Sequence, residues 1–254
     1  YTPSSIIEFV KRAGIAKAYS IVDIQLLEHC IREELNATAP RRVAVLDPVK
    51  VTISNYPADK TEYFELPNNP GDPGAGTRKL PFTKELYIDR SDFSDNPPPK
   101  FFRLKPGGEV RLMGAYIVKY EDAVRDENGN ITEIICSADL ETGNGNPADG
   151  RKIKGTIHWV SARYAIDAPV MLYDYLFTIE NVFDIPEGKG YGDYLNPDSA
   201  KKLTGCKLEP SLAEVKPGDR FQFVRMGYFC ADTRNPGAFN RIVTLKDSWE
   251  KGKK

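Results

Sequence analysis

The chain has 254 residues, 41% of them hydrophobic and 28% charged, and its 35 Lys plus Arg nearly balance 36 Asp plus Glu. This length supports one large or two small domains with their own cores, and the composition excludes a disordered tail or a generally basic nucleic-acid coat. No apolar run approaches the roughly 20 residues of a membrane helix and no leader pattern is visible, so we expect a cytoplasmic protein without membrane association. The four Cys (30, 136, 206 and 230) are widely spaced with no C-x-x-C pair, which predicts free, mostly buried thiols and no structural metal.

The first elements are helical. Thr2 is placed as an N-cap with Pro3 at the first helical position, Ile6, Phe9, Val10 and Ala13 keep helical spacing, and Gly14 suits the C-terminal cap. Ser20 followed by Asp23 predicts a second start, with Ile24, Leu27, Ile31 and Leu35 on one face and Asn36 and Pro40 as its end. From Arg41 the character changes to short β-branched runs: 43–46, 49–53, 85–89, 109–112 and 115–120. They continue at 131–137, 156–160, 170–175, 220–225 and 241–244. Asn128-Gly129 is a hairpin signal between two such runs. Strands at this spacing without intervening helices predict antiparallel barrels or sandwiches. The segments 67–76 and 95–99 read as loops, the second stiffened by Pro97-Pro98-Pro99.

One stretch couples a turn to a basic strand: Pro147-Ala-Asp-Gly-Arg-Lys-Ile-Lys-Gly-Thr-Ile-His-Trp-Val-Ser-Ala162. Asp149-Gly150 supplies the turn. Lys152, Lys154, Thr156 and His158 then alternate with Ile153, Gly155, Ile157 and Trp159, which predicts one polar and one apolar face. By pattern alone the polar face is equally a solvated outer face or a binding surface. Further basic residues cluster at 41–42, 100–111, 151–154 and 201–202, while acids pool at 121–127. A balanced total argues against general nucleic-acid binding, while local basic patches within it leave a selective binder open. Catalytic constellations are not expected: His29-Cys30 has no third group, and Glu33-Glu34 reads as a solvated helix face. Trp159 and Trp249 are expected in the core.

The 147–162 stretch resembles a signature of the glutaminyl-tRNA synthetases. Asn36-Ala-Thr-Ala-Pro-Arg-Arg-Val-Ala-Val-Leu-Asp-Pro-Val-Lys50, Gly108-Glu-Val-Arg-Leu112 and Phe221-Gln-Phe-Val-Arg-Met-Gly-Tyr-Phe-Cys230 are similar to further segments of that family. So is the ending Phe239-Asn-Arg-Ile-Val-Thr-Leu-Lys-Asp-Ser-Trp249. These matches run in family order across nearly the whole chain. The family's Rossmann-like catalytic half, with its H-I-G-H-like and K-M-S-K-S-like motifs, has no counterpart here, so the resemblance implies the C-terminal part of a synthetase.

The implied fold is mainly β. Two antiparallel β-barrels follow a short α-helical connector (about 1–38). The proximal barrel is discontinuous (about 39–95 and 206–250), and the distal barrel (about 96–195) is inserted into it. The implied partner is tRNA(Gln), bound by a monomeric parent that uses ATP and Mg; no cofactor is expected in this part.

Carried over residue by residue, the resemblance implies that Arg41 and Gln222 enclose the middle anticodon base. Arg103 falls on the position that reads the third base and Arg111 on the one that contacts the first. Arg225 lies beside the pockets and Asn36 supports the end of the anticodon stem. The chain departs from the family at Lys100 (Gln there), Phe102 (Lys), Gly71 (Asn) and Met113 (Arg). Lys100 remains a candidate RNA contact, and Phe101 and Phe102 are candidates for stacking on bases. Two other readings stand beside this one: a glutamyl-tRNA synthetase carrying similar barrels, and a free-standing RNA-binding β-barrel protein. A stand-alone barrel enzyme has no residue set to support it.

Overall fold

The computed structural model describes residues 1–15, 17 and 21–246. Helix α1 (Pro3–Ala13) starts where expected: the Thr2 hydroxyl accepts from the Ser5 N–H at 3.2 Å, and Gly14 (φ 75°) ends the helix. Ile6 and Val10 of the expected buried stripe are exposed, however. Helix α2 (Ile24–Thr38) is capped by Asp23, which accepts from the Gln25 N–H; the expected start at Ser20 lies outside the described residues, as does Trp249. Leu27, Ile31 and Leu35 of α2 pack against Tyr228 and Val243, while Ile24 stays exposed. None of these helices is long and apolar enough to cross a membrane.

The strands in chain order are β1 (Arg41–Arg42), β2 (Ala44–Val45), β3 (Pro48–Ile53), β4 (Glu62–Pro67), β5 (Thr77–Phe82), β6 (Glu85–Asp89), β7 (Glu109–Leu112) and β8 (Ile117–Arg125). They continue as β9 (Ile131–Asp139), β10 (Thr156–Ile157), β11 (Trp159–Ser161), β12 (Ile166–Tyr173), β13 (Ala200–Leu208), β14 (Arg220–Phe223), β15 (Gly227–Ala231) and β16 (Phe239–Thr244). One sheet runs β1-β14-β15-β16-β12-β13-β2, and the other β10-β7-β8-β9-β3-β6-β11; β4 and β5 form a separate hairpin.

Both large sheets close in the same way. The edges of the first, β1 and β2, are consecutive in the chain with only Val43 between them. The edges of the second, β10 and β11, are separated only by His158. In each case one short segment pairs parallel on one side (β1 with β14, β10 with β7) and antiparallel on the other (β2 with β13, β11 with β6). A closed sheet has no free edge to protect. The pairing is otherwise mostly antiparallel, with one further parallel pair in each sheet.

Strand pairing divides the chain differently from the expected boundaries. β3 and β6 were expected with 206–250, but they pair with β9 and β11, and Val49, Val51, Ile53, Leu86 and Ile88 share a core with Val110, Ile134 and Trp159. Only 41–45 joins strands β12 to β16, whose core holds Val170, Leu208, Phe223, Phe229 and Phe239. A discontinuous barrel with a second one inserted therefore describes the topology, but the insertion spans β3 to β11. The alternation in β3 shows which side chains go inward and says nothing of which sheet supplies the partner.

Local signals fared better. In the β8–β9 turn Gly129 takes φ 80°, and Asp126 accepts from the N–H groups of Asn128 and Asn130. Strands β4, β5, β13 and β15 carry no clear sequence signal and were not expected. The cysteines described are free, and burial pushes the Cys136 thiol up to about 12 and that of Cys206 to about 11, so both are unreactive.

Candidate nucleic-acid interface

Two groups of polar side chains gather on the barrels. The first lies where α2 meets the first sheet. Arg41 on β1 and Gln222 on β14, nearly at opposite ends of the chain, are parallel register partners. The Arg41 guanidinium donates to Ala39 O at 2.7 Å and to Asn36 Oδ1 at 2.8 Å. Gln222 Nε2 donates to the Tyr228 hydroxyl at 2.9 Å, and that hydroxyl lies 3.4 Å from Asn36 Oδ1. Burial pushes the Tyr228 phenol up in pKa, the Gln222 hydrogen bond and the Arg41 charge opposing it in part. Tyr228 therefore keeps its proton. Three expected residues (Asn36, Arg41 and Gln222) thus meet around a fourth, Tyr228, that the sequence reading passed over. Its position six residues after Gln222, inside an already quoted segment, is the only hint the sequence offers.

The second group lines a groove of about 790 Å³ on the other barrel, bordered by Pro97 to Arg103 and by the 152–155 segment. Its cations are Lys100, Arg103, Lys105, Lys119, Lys152 and Lys154. Phe102 is 52% exposed, with the Lys154 ammonium 5.6 Å from its ring centre. An exposed ring among cations can stack a base while the cations hold phosphates. Gly155 makes this wall possible, since a Cβ there would stand 2.0 Å from Phe102 O. Lys100 takes φ 65°, which turns the chain out of the Pro-rich loop. Of the groove's cations, Lys100 and Arg103 are expected RNA contacts, Lys152 and Lys154 belong to the expected polar face, and Lys105 falls within a basic patch. Lys119 was missed because β8 carries no motif.

Arg225 faces a neighbouring concavity with Lys100, Phe102 and Lys154. Its backbone is left-handed (φ 67°), and its fork closes on Asp92, with Nη1 to Oδ2 and Nη2 to Oδ1 both at 2.7 Å. Arg103 Nε lies 3.3 Å from the same carboxylate. Asp92 is fully buried and His158 Nδ1 is 3.8 Å away. Burial lowers the His158 pKa, Asp92 opposes this and Arg225 adds to it, so the ring is neutral and its Nδ1 accepts from Arg225 at 3.2 Å. The expected placement of His158 on the polar face with Lys152 and Lys154 is corrected here. His158 is 1% exposed because the chain changes sheet neighbours at that residue, from β7 to β6.

Arg111 belongs to neither group: its guanidinium donates to Gly145 O at 2.6 Å and Ala115 O at 3.4 Å, beside Thr156 in register. Arg151, counted as part of a basic patch, is neutralised by Asp139 (2.7 Å), Asp149 (2.9 Å) and Glu109 (3.0 Å). Of the remaining departures, Gly71 sits in an exposed loop where its N–H donates to Asn69 Oδ1. Met113 is half-buried and its carbonyl accepts from Trp159 Nε1.

Two family models match the chain, both described as tRNA synthetases class I (E and Q), anti-codon binding domain, over residues 39–139 and 156–232. Together they cover more than half of it. The chain belongs to this anticodon-binding family. Among similar proteins, the glutamine–tRNA ligase of Pseudomonas putida is 49% identical over 98% of this chain and 44% of its own length. Those of Stutzerimonas stutzeri (51%, 98% of this chain, 45% of its own) and Rhodopirellula baltica (50%, 99% and 42%) are alike. The chain thus spans less than half the length of the curated relatives it matches. In this anticodon-binding chain the two polar groups lie one on each barrel, and the Asp92 cluster joins them: Asp92 precedes the groove loop, and Arg225 follows β14.

Proposed function

We propose that the chain is the anticodon-recognition part of a glutamine–tRNA ligase, a class I synthetase whose parent joins glutamine to tRNA(Gln) using ATP and Mg²⁺. The observation that carries this reading is the meeting of Arg41 and Gln222 as register partners beside Asn36, on a chain of this family. Guanidinium and amide groups side by side can bond the edge of an unstacked base, the usual way single-stranded RNA is read. The cationic groove with Phe102 supports phosphate and stacking contacts to neighbouring nucleotides. In this reading Asn36, Arg41 and Gln222 form one base pocket, Lys100 and Arg103 serve the groove, Arg111 contacts RNA at its margin, and Arg225 borders it from Asp92. The functional units follow the sheets: a helical connector, a barrel of 41–45 with 166–244, and a barrel of 48–161.

Three results are expected. The chain alone catalyses no ATP–pyrophosphate exchange with glutamine and tRNA; measurable exchange would place the reaction within these residues. An anticodon-arm RNA binds with strong salt dependence, the log–log slope reaching about −3 if four phosphates of single-stranded character are neutralised. Binding indifferent to salt would remove the groove from the reading.

The third result is a coupling. Arg41→Ala and Gln222→Ala should weaken arm binding non-additively, with a double-mutant coupling of about 0.5–3 kcal/mol. A cycle that sums to zero, with both variants folded, would mean that the two residues do not share a base.

A further inference from the structure

The hydrogen bonds around Tyr228 have a direction that can be worked out atom by atom. Arg41 can only donate, so the Asn36 atom 2.8 Å from its Nη2 is an oxygen acting as acceptor. The Tyr228 hydroxyl, 3.4 Å from that same oxygen, must then supply the proton between them. With its one proton given to Asn36, the hydroxyl can only accept from Gln222, which therefore points its amide NH₂ at Tyr228, 2.9 Å away. Gln222 Oε1 is left with no hydrogen-bond partner among the described residues, on a half-buried side chain next to Arg41. Among the described residues, two of the five Arg41 N–H groups are used and three remain.

We propose that Tyr228 is a positioning residue that locks Gln222 with its carbonyl oxygen outward, so that the pocket offers guanidinium donors beside a single amide acceptor. With the ribose held on one side, uracil and guanine present an acceptor and an N–H donor in one order and cytosine and adenine in the reverse order, so such a pocket separates the two pairs. The proposal rests on the RNA-binding reading above and adds to it the source of the selectivity. Tyr228 itself is 2% exposed and packs with Ile31, Leu35 and Val243, so it acts through Gln222 without touching RNA. Without the hydroxyl, the Gln222 amide can rotate and present either group.

The test is binding of anticodon-arm RNAs that differ only at the middle base, measured by fluorescence anisotropy with the wild-type chain and Tyr228→Phe. The wild type should prefer uracil over cytosine by roughly tenfold or more, the effect of leaving buried polar groups unpaired. Tyr228→Phe should narrow that preference to about threefold or less with an unchanged salt slope, a combination that simple loss of packing would not give. Full preference in a folded Tyr228→Phe overturns the proposal, and so does a wild type that binds the arms without preference. A wild type that binds no arm at all defeats the RNA-binding reading itself, and this proposal with it. Independently of RNA, the side-chain amide protons of Gln222 should show nuclear Overhauser contacts to the Tyr228 ring in the free wild-type chain. Their absence, with both residues assigned, also overturns it.

Discussion

Replacing Glu209 with Ala is expected to lower stability by about 3–5 kcal/mol, the range seen when one partner of a buried ion pair is removed. Glu209 is 1% exposed and ties two distant segments to its own. Its carboxylate accepts from Val43 N at 2.7 Å and from Arg78 Nε at 2.7 Å and Nη2 at 3.0 Å, with Arg42 Nε at 3.5 Å. Val43 is the residue at which the first barrel closes, and Arg78 stands on β5, whose Leu80 and Phe82 belong to the other core. Removing the carboxylate strands an Arg78 side chain only 9% exposed and leaves the Val43 N–H without its acceptor. Burial already lowers the Arg42 pKa, with Glu209 the charge that opposes this, so its loss adds a second poorly solvated cation.

For a chain of this size a loss of 3–5 kcal/mol corresponds to about 6–20 °C in Tm. Thermal and urea unfolding of Glu209→Ala would measure it. A loss below about 1 kcal/mol would show that water reaches the site. The double variant Glu209→Met with Arg78→Met should recover part of the loss, because apolar replacements of a whole buried pair are often neutral.

What could be read from the sequence follows the range of the interaction. The Thr2–Pro3 start, the Asn128-Gly129 hairpin and the Asp149-Gly150 turn depend on groups within four residues of each other, and the structure has all three; in the last, Gly150 N–H donates to Pro147 O at 3.1 Å. The buried and half-buried residues of β3 and β7 do alternate, a local property that the sequence pattern carries. The pairing of β3 and β6 with the other barrel, the burial of His158 and the Glu109 and Asp139 contacts of Arg151 depend on partners farther along the chain. Asp92 lies 133 positions from Arg225, and no spacing rule connects them. Around Tyr228, the expectation for Arg41, Gln222 and Asn36 rests only on resemblance. The residue joining them, Tyr228, lies on β15, which has no strand signal of its own, and no sequence pattern shows the partners of its hydroxyl.

The second large effect is expected at Arg225, and it should appear in stability before it appears in RNA binding. Arg225→Ala should cost about 3–5 kcal/mol, because it removes both short bonds to Asp92, whose side chain is 1% exposed. The reverse deletion should be milder. Asp92→Ala strands Arg225 and Arg103, whose side chains are 30% and 39% exposed and can turn to water, so about 2–3 kcal/mol is expected after allowing for solvent screening. The asymmetry is the point of the comparison: a carboxylate with no route to solvent depends on its cation more than the cation depends on it. Adding Asp92→Asn to Arg225→Ala should therefore restore part of the lost stability, since a neutral amide tolerates burial better than an unpaired charge. Unfolding midpoints of the two single variants and this double variant decide the matter. No recovery in the double would mean that the loss in Arg225→Ala does not come from an unpaired Asp92 carboxylate. RNA binding by the stabilised double variant then isolates what Arg225 contributes to the groove, because the fold no longer carries an unpaired Asp92 charge. Retained affinity there would make Arg225 a strut between the barrels, and a loss of affinity with a shallower salt slope would make it a phosphate contact as well.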